Sequence, residues 1–195
     1  MAYNLNNKLV IAISSRALFD LEEENQIFEK DGLDAYYKYQ LENEDKSLKK
    51  GTGYRLVENI LKINSFFSSD ERQVEVIILS KNNAATSLRI TNAINDLKLD
   101  IIRSAWTSGT NISNYLKAFK VDLFLSADDN DVLNAIENGV AAAKILPSNE
   151  NIHNSSNNQV RIAFDGDAVL FSEESELIYK NNGLDAFIEH EKLNK

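Results

Sequence analysis

Apolar residues along this chain gather in short blocks separated by polar stretches, and the blocks are of two kinds. Three are brief, rich in β-branched residues and almost uninterrupted: Lys8 to Ile13 (KLVIAI), Val74 to Leu79 (VEVIIL) and Val121 to Leu125 (VDLFL). A strand that is apolar on both faces must be covered on both faces, which is the condition of a parallel strand inside a layered α/β sheet. The other blocks repeat with helical spacing. Leu56, Val57, Ile60 and Leu61 share one side of a helix over Leu56 to Ile63, and Leu88, Ile90, Ala93, Ile94 and Leu97 do so within Thr86 to Leu97. A further helix is predicted from about Asp129 to Gly139, where an acidic run supplies an N-cap and first turn and the glycine a stop. Ala141 to Leu146 (AAAKIL) reads as one more short strand. Strands alternating with helices predict an α/β fold with a doubly wound, mostly parallel, Rossmann-like sheet.

Length and charge narrow the partners. The 195 residues fall between one domain and two at ~150 residues each, and a chain of this size buries roughly 70% of its unfolded surface. Lys and Arg number 21 against 30 Asp and Glu, a formal charge of -9, the wrong sign for gripping nucleic acid or an anionic membrane. With no cysteine there is no disulfide framework, thiolate nucleophile or Cys-rich zinc site, and His153 and His190 are the only imidazoles. Any metal is expected to be a hard ion held by oxygen. No run approaches ~18 apolar residues, and the N-terminal apolar block is too short for a signal-peptide core, so the chain reads as soluble and cytoplasmic.

The only proline, Pro147, opens PSNENIHNSSNNQ, a segment nearly devoid of large apolar residues. It reads as a linker, the other reading being a long surface loop, which compact domains rarely carry beyond ~12 residues. Beyond this segment the chain resembles its own start at a constant offset of 151. Ile11, Ala12, Ala17, Glu22, Glu23, Ile27, Gly32, Leu33, Asp34, Ala35 and Asn43 recur as Ile162, Ala163, Ala168, Glu173, Glu174, Ile178, Gly183, Leu184, Asp185, Ala186 and Asn194, 11 identities in 34 ungapped positions. Two unrelated strand-turn-helix units would not be expected to repeat GLDA in register, so duplication is the preferred reading. It divides the chain into a complete α/β copy over 1–146, a linker over 147–159, and the first strand and helix of a second copy over 160–195.

The copies differ where strand RIAF runs into Asp165-Gly166-Asp167; the aligned residues of the first copy are Ser14, Ser15 and Arg16. Carboxylates two apart at the carboxyl end of a buried strand stand where α/β sheets bind ligands. The first can attack phosphorus while a magnesium ion neutralises the phosphate oxygens; the second can protonate the leaving alkoxide and then activate water. By itself an Asp-x-Asp after an apolar run is better explained as a polar turn leaving the strand. Its loss from a recognisable copy suggests one chemical and one structural half, although the opposite history is equally compatible.

The string FDGDAVLFSEESE resembles the nucleophile motif of the haloacid dehalogenase-like phosphatases. Together with AISSRALFDLEEEN, GTGYRLVENIL, LSKNN, LRITNAI, YLKAFKVDLFLSA and GLDAF, the chain resembles the cytosolic 5′-nucleotidases (class I-like) from Leu9 to Lys195. The resemblance implies a haloacid dehalogenase-like sheet and a magnesium-dependent phosphomonoesterase acting on nucleoside monophosphates, with Asp165 as nucleophile, Asp167 as general acid/base and both near the metal. It further implies phosphate-binding roles for Ser80, after the second strand, and Lys117, before the third. Asp128 and Asp129 stand one or two positions beyond where metal-binding acids are expected, so the first copy reads as a degenerate phosphatase-like domain. The second copy would continue past Lys195 in such a family. Its apolar residues Leu177, Ile178 and Phe187 therefore favour a homo-oligomer or a complementing second half.

Lesser features receive plainer readings. Gly51 and Gly53 form a turn or a small phosphate nest, the acidic stretch Leu21 to Glu29 is a solvated helix face, and Trp106 is a core or pocket-wall residue. Neither histidine supports a triad. The leading function is thus 5′-nucleotidase chemistry through an aspartyl-phosphate. The alternatives are a catalytically incomplete nucleotide-binding or partner-binding fragment and a phosphatase for another small phosphomonoester.

Overall fold

The predicted strands assemble side by side with all neighbours parallel. The structure is a computed structural model that describes residues 4–147, 159–164 and 172–194. Along the chain run β1 (Leu9–Ile13), α1 (Ser15–Leu18), β2 (Phe19–Asp20), α2 (Glu22–Glu42), β3 (Lys49–Lys50), α3 (Tyr54–Leu61), β4 (Val74–Ser80), α4 (Leu88–Asp96), β5 (Arg103–Trp106), α5 (Ser113–Ala118), β6 (Leu123–Ser126), α6 (Asp129–Glu137), β7 (Ala141–Lys144) and α7 (Glu174–Leu193). The chain divides into two units, Met1–Asn158 and Gln159–Lys195.

In the first unit the sheet order is β5-β4-β1-β6-β7. β1 lies at the centre, with Ile11 opposite Val76 on one side and Leu123 on the other. The chain builds outward from β1 through β4 to β5, then returns to the far side of β1 for β6 and β7. This reversal opens a crevice at the carboxyl ends of β1 and β6, the usual ligand site of a doubly wound sheet. Side chains alternate across each strand. Val10, Ala12, Ile77, Leu79 and Phe124 join Ile112, Leu116 and Ala135 in one buried cluster. The alternate set, Ile11, Ile13, Val76 and Ile78, is buried too, as are Val57, Ile60 and Leu61 of α3 and Ile90, Ala93 and Ile94 of α4. Continuous apolar runs in β1 and β4 are the sequence signature of this two-sided burial.

Three features depart from the expected elements. β5 carries no apolar run, since it is a partly exposed edge strand; the pairing of Ile77 with Arg103 through Ser80 with Trp106 holds it. β6 begins at Leu123 because Asp122 is occupied at its entry, its backbone N–H donating to the Val10 carbonyl at 2.8 Å and its carboxylate accepting from the Val10 N–H at 2.8 Å. β2 and β3 form a two-residue antiparallel ladder just beyond β1. Gly51 and Gly53 serve this loop as a turn. Their N–H groups donate to the Leu18 and Ala17 carbonyls, each at 2.9 Å, and a Cβ on Gly53 would lie 2.6 Å from the Ala17 oxygen.

α2 is interrupted at Gly32, where φ is 84° and ψ is -175°, a conformation reserved in practice for glycine. Across the break Phe28 and Tyr36 meet edge to face, ring centres 5.9 Å apart and planes at 76°. In the second unit α7 breaks at Gly183 with φ 85° and ψ -178°. Tyr179 and Phe187 bridge that break at 6.1 Å and 76°. These residues stand 151 positions after Gly32, Phe28 and Tyr36, so each unit holds the same kinked helix with the same aromatic brace. The RIAF segment, 161–164, expected to be a strand, is not in one, and Ile162 and Phe164 are exposed. A strand needs a ladder neighbour for its backbone groups, and no described segment of this unit supplies one.

Candidate functional site

A cleft of about 720 Å³ occupies the crevice of the first unit. Three strands deliver a serine to it, and in each case the serine is the residue at or just past the strand end: Ser14 after β1, Ser80 ending β4 and Ser126 ending β6. All three are buried, so their hydroxyls must be paired. The Ser126 hydroxyl donates to Ser14 Oγ at 3.3 Å, and Ser14 Oγ also accepts the Ala17 N–H at 3.4 Å. Ser15 Oγ lies 2.9 Å from Ser80 Oγ, and Ser80 donates to Asn82 Oδ1 at 2.8 Å. Asn82 in turn donates to the Tyr36 hydroxyl at 2.8 Å and to Thr86 Oγ1 at 3.3 Å. A chain of hydroxyl and amide groups thus crosses the floor. Burial pushes the Tyr36 phenol above its ordinary range, which keeps it neutral within this chain.

Charged groups lie around the rim. Arg16 projects from α1, with its guanidinium 3.3 Å from Glu22 and more than a third exposed. Lys81 follows β4, its Nζ 2.6 Å from Asp131 Oδ1. Burial raises the Asp131 pKa, against the lowering influence of Lys81, while nearby Asp128 raises it further. Asp128 caps α6 by accepting the Asp131 N–H at 3.0 Å. Glu24 is buried and held by Arg89 at 2.5 Å. Leu21, Phe28, Leu33 and Tyr36, from α2 and the residue before it, supply an apolar wall.

The expected site residues meet different outcomes. Ser80 lies in the cleft. Lys117 does not line it: it is exposed on α5, and the lysine in the cleft is Lys81, the immediate neighbour of Ser80. Asp165 and Asp167 lie outside the described residues. Of the displaced acids, Asp128 lines the cleft, whereas Asp129 points away to Lys144 at 2.7 Å. Sequence reasoning missed Lys81, Asn82 and Asp131. The first two stand in the LSKNN string, but the pairing of Lys81 with α6 is a tertiary fact.

Magnesium requires several oxygen ligands in near-octahedral array, carboxylates prominent among them. The described cleft offers hydroxyls and a guanidinium at the tip of β1, and its three acids are engaged, Asp128 as a helix cap, Asp131 with Lys81 and Glu24 with Arg89. Among the described residues no three Asp, Glu or His side chains converge, and because each lining acid is already engaged by a helix N-terminus, Lys81 or Arg89, the described cleft is a poor fit for the ion.

A profile described as 5′-nucleotidase matches residues 1–195. The chain belongs to the 5′-nucleotidase family. It is also 35% identical over 191 residues to cytosolic 5′-nucleotidase 1B of Homo sapiens, an alignment covering 96% of this chain and 31% of that relative. The family membership thus extends over both units, while the chain spans less than a third of the curated relative's length. No helix among the described residues is long and apolar enough to cross a membrane.

Proposed function

We propose that the chain carries the nucleophile motif of a 5′-nucleotidase that hydrolyses nucleoside 5′-monophosphates to nucleoside and phosphate. The observation that carries this reading is the family match over the whole chain, which includes the FDGDAVLF string, where Asp165 and Asp167 directly follow an apolar run. In this reading Asp165 is the nucleophile. Its carboxylate attacks phosphorus as the bond from phosphorus to the 5′-oxygen breaks, giving an aspartyl-phosphate, and Asp167 protonates the departing oxygen. Asp167 then takes a proton from the water that attacks the acyl-phosphate, and phosphate leaves with Asp165 restored. Magnesium beside these two carboxylates would supply charge neutralisation of the phosphate oxygens.

The phosphate-binding role that the resemblance gives Ser80 belongs, in this proposal, to the cleft of the first unit; exposed Lys117 has no support from its position, and Lys81 is the better candidate in that cleft. The name of the human relative supports a cytosolic location. The organisation into 1–146, a linker over 147–159 and a second copy over 160–195 is supported by the matched kinks at Gly32 and Gly183 and their aromatic braces. Association with a second copy of the chain or a complementing half belongs to the same reading.

The test is phosphate release from AMP and IMP in magnesium, with Asp165→Asn beside the parent chain. Loss of a nucleophile is expected to lower turnover by about a thousandfold or more. Release that the substitution leaves untouched would overturn the assignment of Asp165.

A further inference from the structure

We propose that the cleft of the first unit is a second, cation-independent binding site, which holds a phosphomonoester with an aromatic body and leaves it intact. The inference goes beyond hydrolysis at Asp165 and does not require it. In the 151-residue register, Ser14 stands where the second unit has Asp165, and Arg16 where it has Asp167. Two carboxylates facing a phosphate repel it unless a cation intervenes. A hydroxyl and a guanidinium donate hydrogen bonds to it directly, and guanidinium is well matched to phosphate oxygens in geometry and charge. The exchange therefore converts a position that needs a metal into one that binds the anion without one, in agreement with the poor fit of magnesium to this cleft.

The surroundings are built for the same ligand. The Ser80 hydroxyl is buried and donates to Asn82 Oδ1, a bond that a phosphate oxygen can replace, while buried Ser14 Oγ accepts from the Ser126 hydroxyl and the Ala17 N–H, which leaves its own proton to donate to a phosphate oxygen. Arg16 and Lys81 flank them, and both are exposed enough to turn toward an arriving anion. The wall containing Phe28 offers an edge for an aromatic ring. Turnover is not supported. Ser14 Oγ accepts from Ala17 N–H and from the Ser126 hydroxyl, and none of its described partners is a carboxylate or imidazole able to take its proton, so it is not an activated nucleophile.

Calorimetric titration of the full chain with AMP in EDTA tests this. The expected result is saturable one-to-one binding, weakened at least tenfold by Arg16→Glu and by removing the phosphate, with adenosine as the probe. Ser80→Ala is expected to weaken it severalfold, and Asp165→Asn to leave it unchanged. Melting curves of the variants separate loss of binding from loss of fold. Absence of binding in EDTA, equal binding by folded Arg16→Glu, or binding that needs magnesium and disappears in Asp165→Asn would each overturn the proposal. A chain that binds AMP in EDTA but releases no phosphate would sink the hydrolytic reading alone, and the converse result would sink only this one.

Discussion

Asp131 is the residue at which burial and pairing compete most openly. Burial disfavours its carboxylate more than Lys81 favours it, so its folded pKa lies above the ordinary 3.8. Because the folded state binds this proton more tightly than the unfolded state, the contribution is favourable at pH below 3.8 and is lost as pH rises through the folded value. Asp131→Asn cannot titrate. Thermal melts across the acidic range are expected to show the parent chain losing stability relative to this variant as pH rises, and a constant difference would contradict the buried-acid account. At this scale the sequence was only partly readable. Ser80 was legible because it ends an unmistakable apolar strand, whereas Asp131 resembled any other acid in the first turns of a helix until the fold set Lys81 beside it.

At the scale of elements, two glycines show different reasons for the same residue type. Gly32 breaks α2 in a backbone conformation that side chains avoid, yet a Cβ there would meet nothing within 4 Å. Gly32→Ala is therefore expected to cost about 1–2 kcal/mol from backbone strain alone. Gly53→Ala would drive a Cβ to 2.6 Å from a backbone oxygen, and the loop after β1 would have to move. Its cost in urea denaturation is expected to exceed that of Gly32→Ala; the reverse order would show that α1 and β2 are loosely held. The sequence revealed the repeated GLDA string but not the break inside it, since a single glycine does not by itself distinguish a tolerated helix position from a break. The aromatic brace was concealed for another reason: Phe28 and Tyr36 exchange identities with Tyr179 and Phe187, so neither pair counted among the identities.

At the scale of the molecule, β1 and β4 form the buried spine of the first unit, and Leu79 lies in its core with no exposed surface. Leu79→Ala is expected to cost about 2–5 kcal/mol, read as a lowered denaturation midpoint with an unchanged slope. A smaller loss would mean that the layer of α5 and α6 collapses onto the gap. The sequence by itself determined the class of fold, because strands buried on both faces must be continuously apolar and helices covering them must be amphipathic; both are local patterns. It also carries the self-resemblance at an offset of 151, in which Ser14 and Arg16 align with Asp165 and Asp167. Only the tertiary structure decided which polar residues share the cleft. Sheet order brings the ends of β1, β4 and β6 together from positions more than a hundred residues apart, and that proximity places Lys81 in the site and leaves Lys117 on the surface. Side-chain chemistry is written locally, but a site is a matter of which strand ends become neighbours.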